Sequence, residues 1–208
     1  EEDAVGIGNP NVYLDSTANE FHGDDQIAST DKNGRFGAGQ GFLQDSPSYI
    51  DLNTSLISGF EGANAKSVSA WAKPESFSRD GLWNVGGFGG GGAQNGFSLT
   101  AEGGTNQWRA WHQGTPDYTF NFGSTNVWQH MVLDYDGVVS SAYGNGVLQN
   151  SEASTLDTQD SNGYGTLIGR WRTGDYFAGD MDEVRFSTVS RDADWYAAEH
   201  LNQATPAS

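Results

Sequence analysis

The chain has 208 residues, with 27 acidic against 10 basic side chains (net charge −17), 29 glycines and no cysteine. This balance opposes binding to nucleic acid or insertion into an anionic membrane surface, and the missing thiol excludes disulfides, thiolate metal sites and a cysteine nucleophile. No apolar run approaches the ~18 residues that span a bilayer, and the opening at Glu1 does not read as a signal peptide, so it suggests a mature fragment or an excised domain.

In chain order, Asn11–Leu14 reads as a short strand running into an Asx-, Ser-, Thr- and Gly-rich turn region, Asp15 to Gly23. Asp24 to Gly41 is polar and glycine-rich and reads as loop. Ser48–Leu52 and Ser67–Pro74 alternate as strands, the second ended by Pro74, which cannot donate to a ladder. Gly86 to Gly92 lacks the Lys-Ser/Thr ending of a phosphate loop and precedes another strand, Phe97–Thr100, so it reads as a hairpin connection. Strands follow at Gln107–His112, Tyr118–Phe122 and Trp128–Tyr135, where Met131, Leu133 and Tyr135 share a face. Asp136-Gly137 and Asn145-Gly146 are hairpin dipeptides that set Val138–Tyr143 antiparallel to the preceding strand. Thr166–Arg172 is a strand. In Phe177–Phe186, Met181 and Val184 lie three apart, which breaks period-two alternation and predicts a bulge near Asp182 and Glu183. Only Asp192–Asn202 looks helical, with Asp192 as cap and Trp195, Ala198 and Leu201 recurring along one side.

Many short strands separated by frequent turns describe an antiparallel sandwich. No repeat or second core is visible, so residues 1–203 are expected to form one domain and 204–208 a linker.

Several segments resemble, in order, the blocks of bacterial laminin-G-like domains. They are Val12-Tyr13-Leu14 with Asp15 to Asn19 and His22-Gly23, Gly39 to Leu52 (GQGFLQDSPSYIDL), and Val68-Ser69-Ala70-Trp71. Trp128 to Val132 with Tyr135-Asp136-Gly137 and Tyr143 to Gly146, the Phe177–Phe186 strand, and a closing helix over Asp194 to Gln203 complete the series. The resemblance implies an all-β, two-sheet, concanavalin A-like jelly roll with one short C-terminal helix. It implies a secreted, lectin-like, non-catalytic domain of a larger bacterial surface or adhesion protein, binding a glycan or another cell-surface ligand. Alternatives are a ligand-free spacer in an adhesin and a polysaccharide-active enzyme.

Calcium needs six to eight hard oxygen donors. Asp15, Asn19 and the carbonyls near His22-Gly23 supply oxygens, and the resemblance implies Asp15, Asn19 and Asp182 as ligands of one structural Ca²⁺. A sugar site needs aromatic rings for C–H faces and polar groups for hydroxyls. Trp108 and Trp111 flank Arg109 and fall on opposite faces of one strand, so one enters the core and the other faces outward or lines a groove. Trp111, Trp171, Trp83, Tyr176 and Arg109 are the ligand-binding candidates. Alternation places Trp171 opposite Arg170 and Arg172.

Catalysis is poorly supported. Asp180, Asp182 and Glu183 superficially resemble a hydrolase acid cluster, but a retaining pair needs two carboxyls ~5 Å apart on one face, and the adjacent Asp182 and Glu183 would diverge. Arg109, His112 and Gln113 match no recognisable lyase arrangement, and His130 reads as a structural strand histidine.

Overall fold

A computed structural model describes residues 12–26, 32–45, 48–54, 56–87, 95–104, 106–114 and 117–205. The first strands are β1 (Val12–Tyr13), β2 (Gly23–Asp25), β3 (Lys32–Asn33), β4 (Ala38–Phe42), β5 (Ile50–Asp51), β6 (Lys66–Pro74) and β7 (Asp80–Val85). Next come β8 (Ser98–Glu102), β9 (Gln107–Trp111), β10 (Tyr118–Asn121), β11 (Gln129–Tyr135), β12 (Val139–Gly144) and β13 (Val147–Ala153). The chain closes with β14 (Thr166–Ile168), β15 (Arg170–Trp171), β16 (Asp175–Tyr176), β17 (Gly179–Ser187) and the helix α1 (Ala193–Ala204).

Among the described residues these strands form two sheets. A ten-stranded sheet has the order β1-β2-β5-β14-β7-β8-β9-β10, with the β15–β16 hairpin lying against β7. A seven-stranded sheet has the order β13-β12-β11-β6-β17-β4-β3. Pairing is antiparallel between the strands except at one parallel bridge, Tyr176 to Gly81. The inner faces supply the core: Val68, Ala70 and Ala72 from β6 and Met131, Leu133 and Tyr135 from β11 meet Leu99, Ala101, Trp108 and Ala110 from β8 and β9. This is the expected jelly-roll sandwich. A polar tie crosses it, where Ser140 Oγ shares hydrogen bonds with Tyr118 Oη (3.1 Å) and His112 Nε2 (3.0 Å).

The bulge predicted in the late strand is present: pairing of β17 with β6 shifts between Asp182 and Arg185, and Glu183 adopts φ +53°. Asp182 nevertheless lies inside the sheet, because β4 covers the side of β17 away from β6. The expected strand Thr166–Arg172 is broken at Gly169, whose φ of +78° and contact with the Phe42 ring leave no room for a side chain.

Three strand regions differ from the sequence reading. β2, β3 and β4 lie within the stretch read as loop; β4 has one large apolar residue, Phe42, and its buried Gln40 accepts from the Tyr13 hydroxyl. β7 is buried along its whole length, so it shows no alternation. β13 is an edge strand exposed along most of its length, Val147 and Leu148 included.

The helix lies where expected and Asp192 caps it, accepting from Trp195 N at 2.8 Å. Its packed side is the opposite one. Trp195 and Leu201 are exposed at 54% and 61%, whereas Tyr196, His200 and Gln203 meet the outer face of the seven-stranded sheet. The reason is the docking pocket. Asp134 on β11, buried, accepts from Tyr196 Oη (2.5 Å), Ser190 Oγ (2.7 Å) and Arg191 N (3.2 Å). Trp71 Nε1 donates to Gln203 Oε1 at 2.6 Å, and Tyr196 packs on Tyr143 at 4.8 Å. Tyr196→Phe should therefore leave a buried carboxylate short of one donor and cost ~1–3 kcal/mol in urea denaturation.

His130 sits under the same helix, buried against Trp71 and His200 at 5.4 and 6.2 Å between ring centroids. Burial, then the nearby His200 and Arg185, push its pKa down to about 3. Glu199 lies 3.8 Å from Nε2 but is engaged by Arg185 at 3.0 Å, so it does not offset the burial. The unfolded chain takes up a proton near pH 6.5 that folded His130 refuses, so its contribution to stability is lost as pH falls from about 6.5 toward 3. Buried Asp80, Asp134 and Asp182, whose pKa values burial raises, act in the opposite sense. Comparing thermal melts of the wild type and His130→Gln from pH 7 to 4 isolates the histidine: the variant should lose stability less steeply.

Candidate functional site

The outer face of the ten-stranded sheet carries an arginine-capped aromatic cluster. On β9 alternation sends Trp108 and Ala110 into the core, leaving Arg109 and Trp111 on the other side; on β8 Thr100 and Glu102 share that side. The expected divergence of Trp108 and Trp111 therefore holds. Trp111 Nε1 donates to Thr100 Oγ1 (2.9 Å) and Glu102 Oε1 (3.2 Å), which fixes the indole flat against the sheet.

Trp171 stacks on Trp111 with centroids 4.5 Å apart and planes 28° from parallel. It comes close because β15 crosses β7 at Gly81, where a Cβ would lie 2.2 Å from Trp171 N. Around the pair stand three guanidinium groups. Arg109 Cζ lies 3.5 Å from the Trp111 centroid, Arg172 Cζ lies 4.1 Å from that of Trp171, and Arg79 Cζ lies 5.5 and 5.1 Å from the two. Arg109 also pairs with Asp117 at 3.3 Å, and Asp117 accepts from His112 N and Gln113 N. Arg79 and Arg172 have φ of +71° and +56°, so each sits at a turn. Arg79 is anchored by the residue after it: buried Asp80 accepts from Ser76 and Ser78 at the base of that turn.

A second aromatic group adjoins the first across β15. Tyr49 and Tyr176 lie 6.1 Å apart, with Arg170 Cζ 4.5 and 5.7 Å from their ring centroids. Both tyrosines are half-buried. Asp175 lies beside Arg79 and Arg172; burial raises its pKa despite them.

Four of the five ligand-binding candidates thus converge: Trp111, Trp171, Tyr176 and Arg109. Trp83 does not. It is fully buried in the sandwich core, because β7 is a central strand and its irregular pairing with β8 at Gly81–Trp83 turns the indole inward. Trp111 and Trp171, the second of which alternation left as either core or exposed, are 9% and 0% exposed, so neither indole offers a free face. Arg172 folds over Trp171 instead of lying opposite it, since its positive φ ends the alternation. Arg79 and Tyr49 were missed. Arg79 precedes a strand without alternation, and Tyr49 is one tyrosine in an ordinary strand pattern.

The three calcium candidates lie elsewhere, all lining a cavity of about 810 Å³ that also touches Phe42, Ile50 and Met181. Asp15 accepts from Thr17 N (2.8 Å), Thr17 Oγ1 (2.8 Å) and Phe21 N (3.1 Å); burial would raise its pKa, but these bonds hold it below the usual value. Asp182 accepts from Phe36 N (2.7 Å) and Glu183 N (2.8 Å), and burial outweighs them to raise its pKa. Both carboxylates are thus acceptors for backbone N–H groups. No group of three or more acidic, histidine or cysteine side chains suited to a metal occurs among the described residues.

The acids once compared with a hydrolase cluster are dispersed: Asp180 pairs with Lys73 (3.1 Å), Glu183 with Arg185, and Asp182 is enclosed in backbone. His112 is fully buried against Ser140, which removes it from any lyase arrangement with Arg109.

Residues 44–195 match the family described as the concanavalin A-like lectin/glucanases superfamily. No curated protein matches the chain. Among solved structures, domain 4 of AbnA, a GH43 extracellular arabinanase from Geobacillus stearothermophilus, in complex with arabinotriose, is similar at TM-score 0.64 and 21% identity, covering 85% of this chain and 80% of that one. A putative carbohydrate binding protein from Bacteroides ovatus is similar at TM-score 0.59 and 21% identity, covering 76% of this chain and 45% of that one. The binding domain of botulinum neurotoxin serotype G is similar at TM-score 0.64 and 13% identity, covering 92% and 49%. These likenesses concern the fold, and this chain spans about half of the last two proteins. With the family match extending over well more than half of its length, the chain belongs to the concanavalin A-like lectin/glucanase superfamily.

Proposed function

We propose that this is a lectin-like, non-catalytic domain that binds a glycan or glycosylated cell-surface ligand on the outer face of the ten-stranded sheet. The single observation that carries the reading is the placement of the Trp111–Trp171 stack with its arginine caps, beside Tyr49 and Tyr176, outside the sandwich core. Half-buried tyrosines supply rings for a sugar's C–H face, and the guanidinium N–H groups supply donors for its hydroxyls. The sugar-bound arabinanase domain and the putative carbohydrate binding protein support this reading as relatives in fold. So does the dispersal of Asp180, Asp182 and Glu183 to separate partners, which argues against paired-carboxylate hydrolysis. Secretion, and membership of a larger surface protein, form part of the same proposal.

Tyr176→Ala should weaken glycan binding about tenfold or more, while the melting temperature changes little. Trp171→Ala should instead cost ~3–5 kcal/mol of stability, as a buried aromatic does. Glycan-array screening followed by calorimetry on Tyr176→Ala reads the first; unchanged affinity would move the site off this face.

Calcium is a separate component of the proposal, motivated by Asp15, Asn19 and Asp182 sharing one cavity. An ion bound only by the folded chain stabilises it by mass action, so EDTA should lower the melting temperature in the wild type and not in Asp182→Ala. A melting temperature indifferent to EDTA and to added Ca²⁺ removes the metal.

A further inference from the structure

We propose that the ligand is an anionic sugar, its carboxylate or sulfate held by Arg79 and Arg170; this deepens, and rests on, the glycan-binding reading above. The chain has only 10 basic residues against 27 acids, yet four arginines gather on this one face. Of the other described cations four are used internally, while exposed Arg191 lies over the Trp195 ring beside the helix. Lys66 is buried on the Phe60 and Gly62 carbonyls, Lys73 pairs with Asp180, Arg185 pairs with Glu183 and Glu199, and Arg35 donates to the Ala204 carbonyl. On the outer face Arg109 is committed to Asp117 and Glu102 is committed to Trp111 Nε1. Arg79 and Arg170 form no ion pair within 4 Å among the described residues, although Asp175 lies beside Arg79 and carboxylates outnumber bases in this chain by more than two to one. Arg170 Nε is buried without a hydrogen-bond partner.

Stacking explains how these groups are kept ready. A guanidinium lying over an aromatic ring uses its flat face, and its N–H groups, which lie in its plane, stay available for a bidentate anion. Tyr49 and Tyr176 support Arg170 in this way, and the Trp111–Trp171 pair supports Arg79. A neutral sugar would use such donors only as single hydrogen bonds to hydroxyls, whereas a carboxylate or sulfate meets the fork with two charge-assisted ones. Against a net charge of −17, this gathering of arginines offsets Asp117, Glu102 and Asp175 locally and lowers the repulsion an anion meets at this surface.

The test is an array of matched acidic, carboxyl-reduced and sulfated glycans, followed by calorimetry on the best ligand and its neutral counterpart at two salt concentrations. Acidic members should bind about tenfold or more tightly than their neutral counterparts, and added salt should weaken them. The carboxylated and sulfated arms identify which anion is preferred. Arg79→Gln and Arg170→Gln should each lose about tenfold for the acidic ligand and distinctly less for the neutral one, which forfeits a single uncharged hydrogen bond, with Arg170→Lys only partly restoring binding. Arg79 is exposed, so its variant stays informative if Arg170→Gln fails to fold. Equal binding of acidic and neutral partners, with no effect of Arg79→Gln, overturns the anion while the glycan site, tested by Tyr176→Ala, stands. Absence of binding to every glycan overturns both.

Discussion

Trp111 and Trp171 stack on the side of the ten-stranded sheet that faces away from the core, and the composition of that face follows from covering them. Removing two indoles from water is worth roughly 4–6 kcal/mol each on area grounds, but a sheet's outer face has no second sheet to do it. Here the cover is arginine. Arg109, Arg79 and Arg172 lie over the rings, Thr100 and Glu102 hold the Trp111 N–H, and Tyr164 packs at the margin. Guanidinium suits the role because it is weakly hydrated and planar, so it shields a ring at little desolvation cost. The face is therefore both a small satellite core and a polar surface.

The seven-stranded sheet solves the corresponding problem differently. Its outer face presents Trp71, Val132, Tyr143 and the carboxylate of Asp134, and α1 covers them. That carboxylate decides which side of the helix turns inward. Periodicity alone offered Trp195, Ala198 and Leu201, a plausible apolar stripe; the structure selects Tyr196, His200 and Gln203, each with a polar or ring partner on the sheet. A weakly amphipathic helix is oriented by specific polar partners more than by its apolar content.

The sandwich was legible in the sequence because its central strands alternate and its turns carry Asp-Gly and Asn-Gly. The bulge at Asp182–Arg185 was legible from one broken alternation. What escaped were elements whose physical logic leaves no periodic trace: β7, buried on both faces; β4, glycine-rich with a single large apolar residue; and β13, an edge strand whose apolar Val147 and Leu148 are themselves exposed. The candidate site was half visible. Arg170-Trp171-Arg172 and Trp108-Arg109-Ala110-Trp111 stand out in the chain, but nothing in either segment says that the two indoles meet. That contact depends on Gly81 in a strand the pattern hides, and Arg79 arrives with the same strand.

The crossing at Gly81 also governs how rigid the outer face is. Because β15 rests directly on the backbone of β7, the turn residue Arg172 and the anchored Arg79 are located by main-chain packing instead of by long free loops. Association with such a surface forfeits little conformational entropy, since the side chains are already confined before a partner arrives. Their confinement also limits adaptability: a surface fixed by backbone contact discriminates by geometry and tolerates few ligand shapes, and even Gly81→Ala, a single added methyl, would displace the hairpin and both tryptophans with it.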